Sequence, residues 1–182
     1  KSFLSESAIY FLKNDFPEEL DTVRVSDNIR KFNINGILPN GERFIMVKYF
    51  PMLIALTQSG KLYGNRCSGE KCVLFENESD VIPRNTLKQI QTKSTHIVID
   101  YIMDYDILIY VVYDTELQKN IVLANGKSKY WYIFNDGCEE LFYAKEILYL
   151  TDKNITQAMF QRDEELFFVA KDGKAYAMKS SS

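Results

Sequence analysis

The stretch LIALTQSGKLYG, residues 53–64, decides the fold. It begins with four apolar residues, turns through a polar segment that ends at Gly60, and continues with an alternating run over residues 61–63. An apolar run, a turn closed by glycine and a second run are typical of a β-hairpin. The question is whether this hairpin occurs once or is one copy of a repeat.

A second copy lies in LFFVAKDGKAYA, residues 166–177, which has leucine, glycine, lysine and tyrosine at the same positions. Between the two, residues 108–123 (LIYVVYDTELQKNIVL) provide an apolar strand, a longer polar turn without glycine and another apolar strand. The copies start at Leu53, Leu108 and Leu166, at spacings of 55 and 58 residues. A repeat of this length with several short strands is typical of a propeller blade.

Short β-type segments recur along the chain, separated by turn dipeptides such as Asn-Gly and Asp-Gly. The twelve Tyr and twelve Phe also favour strands, because aromatic side chains pack well on a pleated surface. Helical periodicity is sparse, so the sequence predicts an all-β, mostly antiparallel fold. The predicted strands are Ala8–Leu12, Arg43–Lys48, Leu53–Thr57, Lys61–Gly64, His96–Tyr101, Ile107–Tyr113, Asn120–Ala124, Lys129–Phe134 and Leu166–Ala170.

Two stretches resemble the repeat of the regulator of chromosome condensation (RCC1) family of β-propellers. In that family each blade carries a segment similar to ALT-x-DG-x-VY-x-WG, and the matching residues here are 55–64 (ALTQSGKLYG) and 169–176 (VAKDGKAY). The resemblance implies a partial β-propeller with about three RCC1-like blades of short antiparallel strands. The marks Gly-x-x-His and Gly-Gln-Leu-Gly are missing, so no functional residue is transferred from the family.

The predicted domain is a single propeller-like domain or fragment over residues 1–182, with blades at roughly 1–65, 66–125 and 126–180. Propellers hold at least four blades, so three blades would not close a ring. We therefore expect further sequence, another protein chain or self-association to complete the propeller. Because the sequence begins at Lys1 and not at Met, we also expect a fragment or a processed chain.

Charge and composition bear on the class of partner and on the compartment. The formal net charge is −3, with 22 basic and 25 acidic residues interspersed, so we expect no nucleic-acid partner. No apolar run approaches the roughly 20 residues that span a bilayer, so we expect no membrane association. The three cysteines fit reduced thiols in an intracellular protein, cytoplasmic or nuclear.

Residues that carry out catalysis or bind metals are sparse. The single histidine, His96, lies beside an apolar run, and we interpret it as a strand residue in preference to a member of a catalytic triad. A zinc site needs four ligands, and Cys67 and Cys72 could reach that number only with one distant cysteine and one distant histidine, so we interpret the pair as a loop feature. The glycines are isolated, so no phosphate-binding loop is predicted. We expect no enzyme activity, no metal site and no cofactor.

A stretch rich in carboxylates and tyrosines is the candidate binding surface, together with an aromatic cluster further along the chain. Aromatic residues are enriched in the centres of protein interfaces. The candidate residues are Tyr101, Asp104, Tyr105, Asp106, Tyr130 and Trp131.

These observations lead to a non-catalytic protein–protein interaction or scaffold module built from RCC1-like blades. Two alternatives stay open. One is a small-molecule-binding β-barrel of lipocalin size lined by the many aromatic side chains. The other is a GTPase-regulating propeller of the nucleotide-exchange type, as some relatives in the RCC1 family are.

Overall fold

The computed structural model describes residues 2–15, 20–49, 53–64, 87–104, 107–127, 140–160 and 165–179. The regular elements in these ranges are β-strands and two short 3₁₀ turns, Lys13–Asp15 and Leu148–Leu150. The all-β prediction is confirmed. The described part of the chain contains no helix with the length and apolar character that crossing a bilayer requires.

The described residues form two compact units, one ending at Gln91 and the other beginning at Thr92. The first unit contains two four-stranded antiparallel sheets. One sheet has the order β1-β2-β4-β3, with β1 Ser2–Leu4, β2 Ala8–Leu12, β3 Thr22–Ser26 and β4 Ile29–Asn33. The other has the order β5-β6-β7-β8, with β5 Phe44–Tyr49, β6 Leu53–Thr57, β7 Leu62–Gly64 and β8 Lys88–Gln89.

The second unit also contains two antiparallel sheets. The first has the order β9-β10-β11-β12, with β9 His96–Met103, β10 Ile107–Asp114, β11 Lys119–Lys127 and β12 Glu140–Glu146. The second has the order β13-β14-β15, with β13 Ile155–Phe160, β14 Leu166–Ala170 and β15 Ala175–Met178. The first strands of the two sheets, β9 and β13, lie next to each other. The side chain of Asp100 on β9 accepts a hydrogen bond from the Ala158 N–H of β13 (2.9 Å).

The second strands β6 and β10 are buried along almost their whole length, so they are covered on both faces. All five residues of β6 are buried, and β10 is buried except at Tyr113. A strand covered on both faces needs a continuous apolar run, in contrast to the alternating pattern of a strand with one wet face. In the second unit, β10 and β14 contribute Ile109 and Phe168 to one core. In the first unit, Phe11 and Leu53 lie in another.

The three copies found in the sequence occupy equivalent places in three sheets. The residues near 53, 108 and 166 fall on β6, β10 and β14, each the second strand of its own sheet. The strands of the described residues therefore fall into separate sheets and do not form the single closed barrel of the lipocalin-type alternative. The predicted strand at Lys129–Phe134 lies outside the described residues.

The number of sheets differs from the three predicted segments. The segment 1–65 contains one whole sheet and three strands of a second, whose fourth strand is β8, and the described residues form four sheets in all. The additional sheet has a different strand order, in which β4 is inserted between β2 and β3. Because this sheet lacks the glycine-closed hairpin after its second strand, it leaves no visible copy of the repeat in the sequence.

We expect the tyrosine of the two glycine-containing copies to contribute unequally to stability. Tyr63 is buried and packs edge-to-face on Phe44, with ring centroids 5.6 Å apart, whereas Tyr176 is half-buried. Tyr63→Ala should therefore lower the free energy of unfolding by about 3–5 kcal/mol, and Tyr176→Ala by only about 1 kcal/mol. Urea unfolding of both variants measures this. Equal and negligible effects would contradict the packing described here.

Candidate functional site

The same backbone hydrogen bond fastens the turn after the second strand in three sheets. It runs from the first turn residue to the carbonyl oxygen of the residue that precedes the first strand of that sheet. The three pairs are Gln58 N–H to Arg43 (2.8 Å), Thr115 N–H to Thr95 (2.9 Å) and Lys171 N–H to Asn154 (3.0 Å). Each bond holds two loops of one sheet together at the same end of the strands.

In two of these sheets the turn closes on glycine. The N–H of Gly60 donates to the carbonyl of Thr57 (3.0 Å), and the N–H of Gly173 donates to that of Ala170 (2.9 Å). Both glycines have φ near +83°, in the left-handed region that other residues enter at a cost. This three-residue turn with a left-handed glycine is a common hairpin connection, and it explains the glycine in both sequence copies.

In the middle copy a carboxylate closes the turn, and no glycine is present. Its turn is one residue longer, and Gln118 takes the left-handed conformation (φ +52°). The side-chain Oδ1 of Asp114 accepts hydrogen bonds from the N–H groups of Glu116 (2.9 Å) and Leu117 (3.2 Å). A side chain thus takes the role that a backbone carbonyl has in the other two turns.

His96 holds this carboxylate from the neighbouring strand. The two residues are register partners at the ends of β9 and β10, and His96 Nε2 lies 3.2 Å from Asp114 Oδ2. Their side chains are only 5% and 7% exposed. The equivalent positions in the other two sheets pair Phe44 with Thr57 and Ile155 with Ala170. The pair is therefore a polar replacement of a core contact.

Burial has opposite effects on the two partners. Burial lowers the pKa of His96 from its ordinary value of 6.5, against the raising influence of the Asp114 carboxylate. Burial acts to raise the pKa of Asp114, but the N–H donors of Leu117 and Glu116, together with His96, hold that pKa below its ordinary value. The neutral imidazole therefore donates from Nε2 to a charged carboxylate, an arrangement that fixes the turn.

The candidate surface named from the sequence is only partly described, and its first member is not exposed. Tyr101 is fully buried, so its side chain lies in the core and not on a surface. The cause is a bulge: Val111 pairs with Asp100 and Val112 with Val98, so the regular alternation of β9 is interrupted. Beyond the bulge the strand is buried on both faces.

Asp104 has a local role in the turn between β9 and β10. Its Oδ1 accepts a hydrogen bond from the N–H of Ile107 (3.1 Å), and its own N–H donates to the carbonyl of Ile107 (3.0 Å). The other four candidates, Tyr105, Asp106, Tyr130 and Trp131, lie outside the described residues. Within the described residues, no group of three or more His, Cys, Asp or Glu side chains is arranged to hold a metal ion.

A different exposed surface lies at the end of the second unit where the turns are fastened. We call it the turn end and define it by residues 93–95, 115–119, 147–154 and 171–174. It includes three exposed apolar side chains: Leu148 (75% exposed), Tyr149 (59%) and Leu117 (55%). Besides the repeated hydrogen bonds, an ion pair joins its loops, with Lys119 Nζ lying 3.5 Å from Asp152 Oδ1.

A lysine held between two aromatic rings fixes the segment that carries these side chains. Lys153 Nζ lies 5.7 Å from the ring centroid of Tyr149 and 5.5 Å from that of Tyr176 on β15. Ile147 and Leu150 of the same segment are buried, so they anchor it while Leu148 and Tyr149 face solvent. Sequence reasoning missed this surface, because the apolar run at 147–150 has no feature that tells an exposed side chain from a core one.

No family model matches the chain, and no curated protein matches it significantly. The crystal structure of human WBSCR16 is similar, with a TM-score of 0.64 at 17% sequence identity. The similarity covers 97% of this chain and 44% of that one, so the chain spans less than half the length of the solved protein. WBSCR16 has an RCC1-like propeller fold, and the chain shares this all-β partial propeller architecture.

The glycine turn and the carboxylate turn can be compared by substitution. Gly173→Ala should lower the free energy of unfolding by about 1–2 kcal/mol because alanine is strained at positive φ, although no atom lies within 4 Å of the added methyl. Gln118→Gly should raise it by up to about 1 kcal/mol for the converse reason. Opposite signs in chemical denaturation would support the described turns, and a stabilising Gly173→Ala would contradict them.

The single histidine makes the buried pair directly measurable. We expect the imidazole of His96 to titrate below 6.5, and its pKa to fall further in Asp114→Asn because the variant removes the charge that raises it. Since the folded state binds fewer protons than the unfolded state, stability should decrease as the pH falls through the ordinary range of histidine. NMR titration of the imidazole protons measures this. A pKa that rises in Asp114→Asn would refute the pairing.

Proposed function

We propose that the chain is a non-catalytic protein-interaction module built from RCC1-like propeller blades, and that its turn end binds another protein. The observation that carries the proposal is the exposure of Leu148 and Tyr149 on a segment whose neighbouring residues are anchored. The similarity to WBSCR16 supports the blade architecture. The interaction role is inferred from this exposed surface.

The anchoring of this segment is what suits it to binding. Exposed apolar side chains that are scattered over a surface need no explanation, but grouped ones mark interaction sites. Here two adjacent apolar side chains project from a turn fixed by Ile147, Leu150 and the Lys153–tyrosine contacts. A fixed segment loses little conformational entropy on association, so more of the contact energy contributes to affinity.

The buried polar pair also supports a non-catalytic scaffold role. His96 and Asp114 are occupied by each other and by the turn they hold, and neither side chain is open to a substrate. The two side chains have a structural role: they hold the loop that carries Leu117 at the turn end.

The test compares two double variants, each of which replaces two exposed apolar side chains by serine. In Leu148→Ser/Tyr149→Ser the turn end is altered, whereas Val23→Ser/Val25→Ser alters exposed side chains of β3 in the first unit. We expect quantitative affinity enrichment from native extract to show about tenfold less retention of bound protein for the first variant only, a loss of about 1.4 kcal/mol.

Thermal unfolding of both variants provides the control, because all four side chains are exposed and their replacement should leave the folded state intact. Equal retention by the wild type and both variants would refute the turn end as the binding surface.

A further inference from the structure

The turn after β10, residues 115–118, is held by hydrogen bonds to two acceptors, and we call it the middle turn. All of its residues are exposed. The N–H and the hydroxyl group of Thr115 both donate to the carbonyl of Thr95 (2.9 and 3.1 Å). The next two N–H groups donate to the carboxylate of Asp114. The position of the middle turn therefore depends strongly on where this carboxylate is held.

His96 fixes the carboxylate from β9. Its neutral ring donates from Nε2 to Asp114, so a further proton can be taken up only at Nδ1. Because both side chains are almost completely buried, a protonated ring loses most of its hydration in the closed turn. A ring that is uncovered and reaches water binds a proton as an ordinary histidine does. Proton uptake therefore favours an open turn over a closed one.

The charges around the ring do not reverse this preference. Three charged side chains act on it from different segments: Asp114 on β10, Lys93 before β9 and Glu146 at the end of β12. The two carboxylates favour the protonated ring and Lys93 disfavours it, but burial has the largest effect and keeps the pKa of His96 below 6.5. The pKa of Asp114 lies below its ordinary value of 3.8, so this carboxylate stays charged while the ring titrates.

The equivalent turns of the other two sheets have no such group. The places of His96 and Asp114 are taken there by Phe44 with Thr57 and by Ile155 with Ala170. His96 is the single histidine of the chain, and histidine is the side chain whose ordinary titration falls in mildly acidic solution. The three turns share one backbone hydrogen bond, and only the middle one is built on a histidine.

We propose that His96 and Asp114 form an acid-sensitive latch, which releases the middle turn in mildly acidic solution while the flanking strands β9 and β10 stay paired. Release is a local opening and not global unfolding. It also relieves the left-handed conformation of Gln118 (φ +52°), which has a cost in the closed turn. The inference goes beyond the proposed function and does not depend on it, although the released turn carries Leu117.

Amide hydrogen exchange of the wild-type chain, followed by NMR at pH 7.5 and pH 5.5, tests the latch. Rates are converted to protection factors, because the intrinsic exchange rate itself depends on pH. The protection factor of the Thr115 N–H should fall severalfold at pH 5.5, with a limit of about tenfold set by an open ring of ordinary pKa. Those of Gln58 and Lys171, which make the same bond in the other two turns, should change by less than about twofold.

His96→Gln is the matched control variant. Its side-chain amide can donate to Asp114 but does not titrate, so the protection factor of Thr115 should agree within about twofold at the two pH values. Thermal unfolding establishes that the variant is folded. If it is not, the comparison of the three turns within the wild type decides the question without it.

Three results would overturn the latch. One is a protection factor of Thr115 that stays constant or rises in acid. Another is an equal fall at Lys171 and in β9 and β10, which would indicate unfolding of the whole second unit. The last is a fall at Thr115 that persists in folded His96→Gln, which would assign the titration to a different group.

Discussion

One backbone hydrogen bond, repeated in three sheets, is the constraint on which the arrangement of the turns depends. It joins the turn after the second strand to the residue before the first strand, as in the bond from Lys171 to Asn154. Because the peptide groups at a turn must find partners once the loops pack together, this bond satisfies them and fixes the two loops at one end of the sheet. In the second unit, that end carries Leu117, Leu148 and Tyr149. The position of these turns thus follows from a contact that involves no particular side chain, while Ile147, Leu150 and Lys153 fix the segment that carries Leu148 and Tyr149.

The side chains decide how each turn meets this constraint. A left-handed glycine closes the turns at Gly60 and Gly173, whereas the middle turn uses the carboxylate of Asp114. A buried carboxylate needs donors on its remaining lone pairs, and His96 supplies one from the adjacent strand. The middle copy therefore needs no glycine, because Asp114 closes its turn. The chain's single histidine lies beside this turn because it pairs with that carboxylate. This longer loop also places Leu117, which is exposed, at the turn end.

Local sequence was sufficient to predict the hairpins and their repeat, but not the long-range pairing. Residues 53–60 and 166–173 combine an apolar strand with a glycine that needs positive φ, and both signals are local. The strands at 22–26 and 29–33 were missed because they have few apolar residues and their turn lacks glycine; the first of them is also largely exposed. Tyr101 was placed on a surface because the bulge in β9 depends on its partner strand. The pairing of His96 with Asp114 and the exposure of Leu148 likewise depend on register and packing, which no spacing in the sequence specifies.

The physical account therefore runs from a shared backbone bond, through turns closed in two chemical ways, to an anchored surface that exposes apolar side chains. Amide hydrogen exchange followed by NMR tests its central claim most directly. The account predicts that the N–H groups of Gln58, Thr115 and Lys171, although they lie in turns, exchange about a hundredfold or more slowly than in an unstructured peptide. Exchange of all three at unstructured rates, while the flanking strands β6, β10 and β14 stay protected, would contradict it.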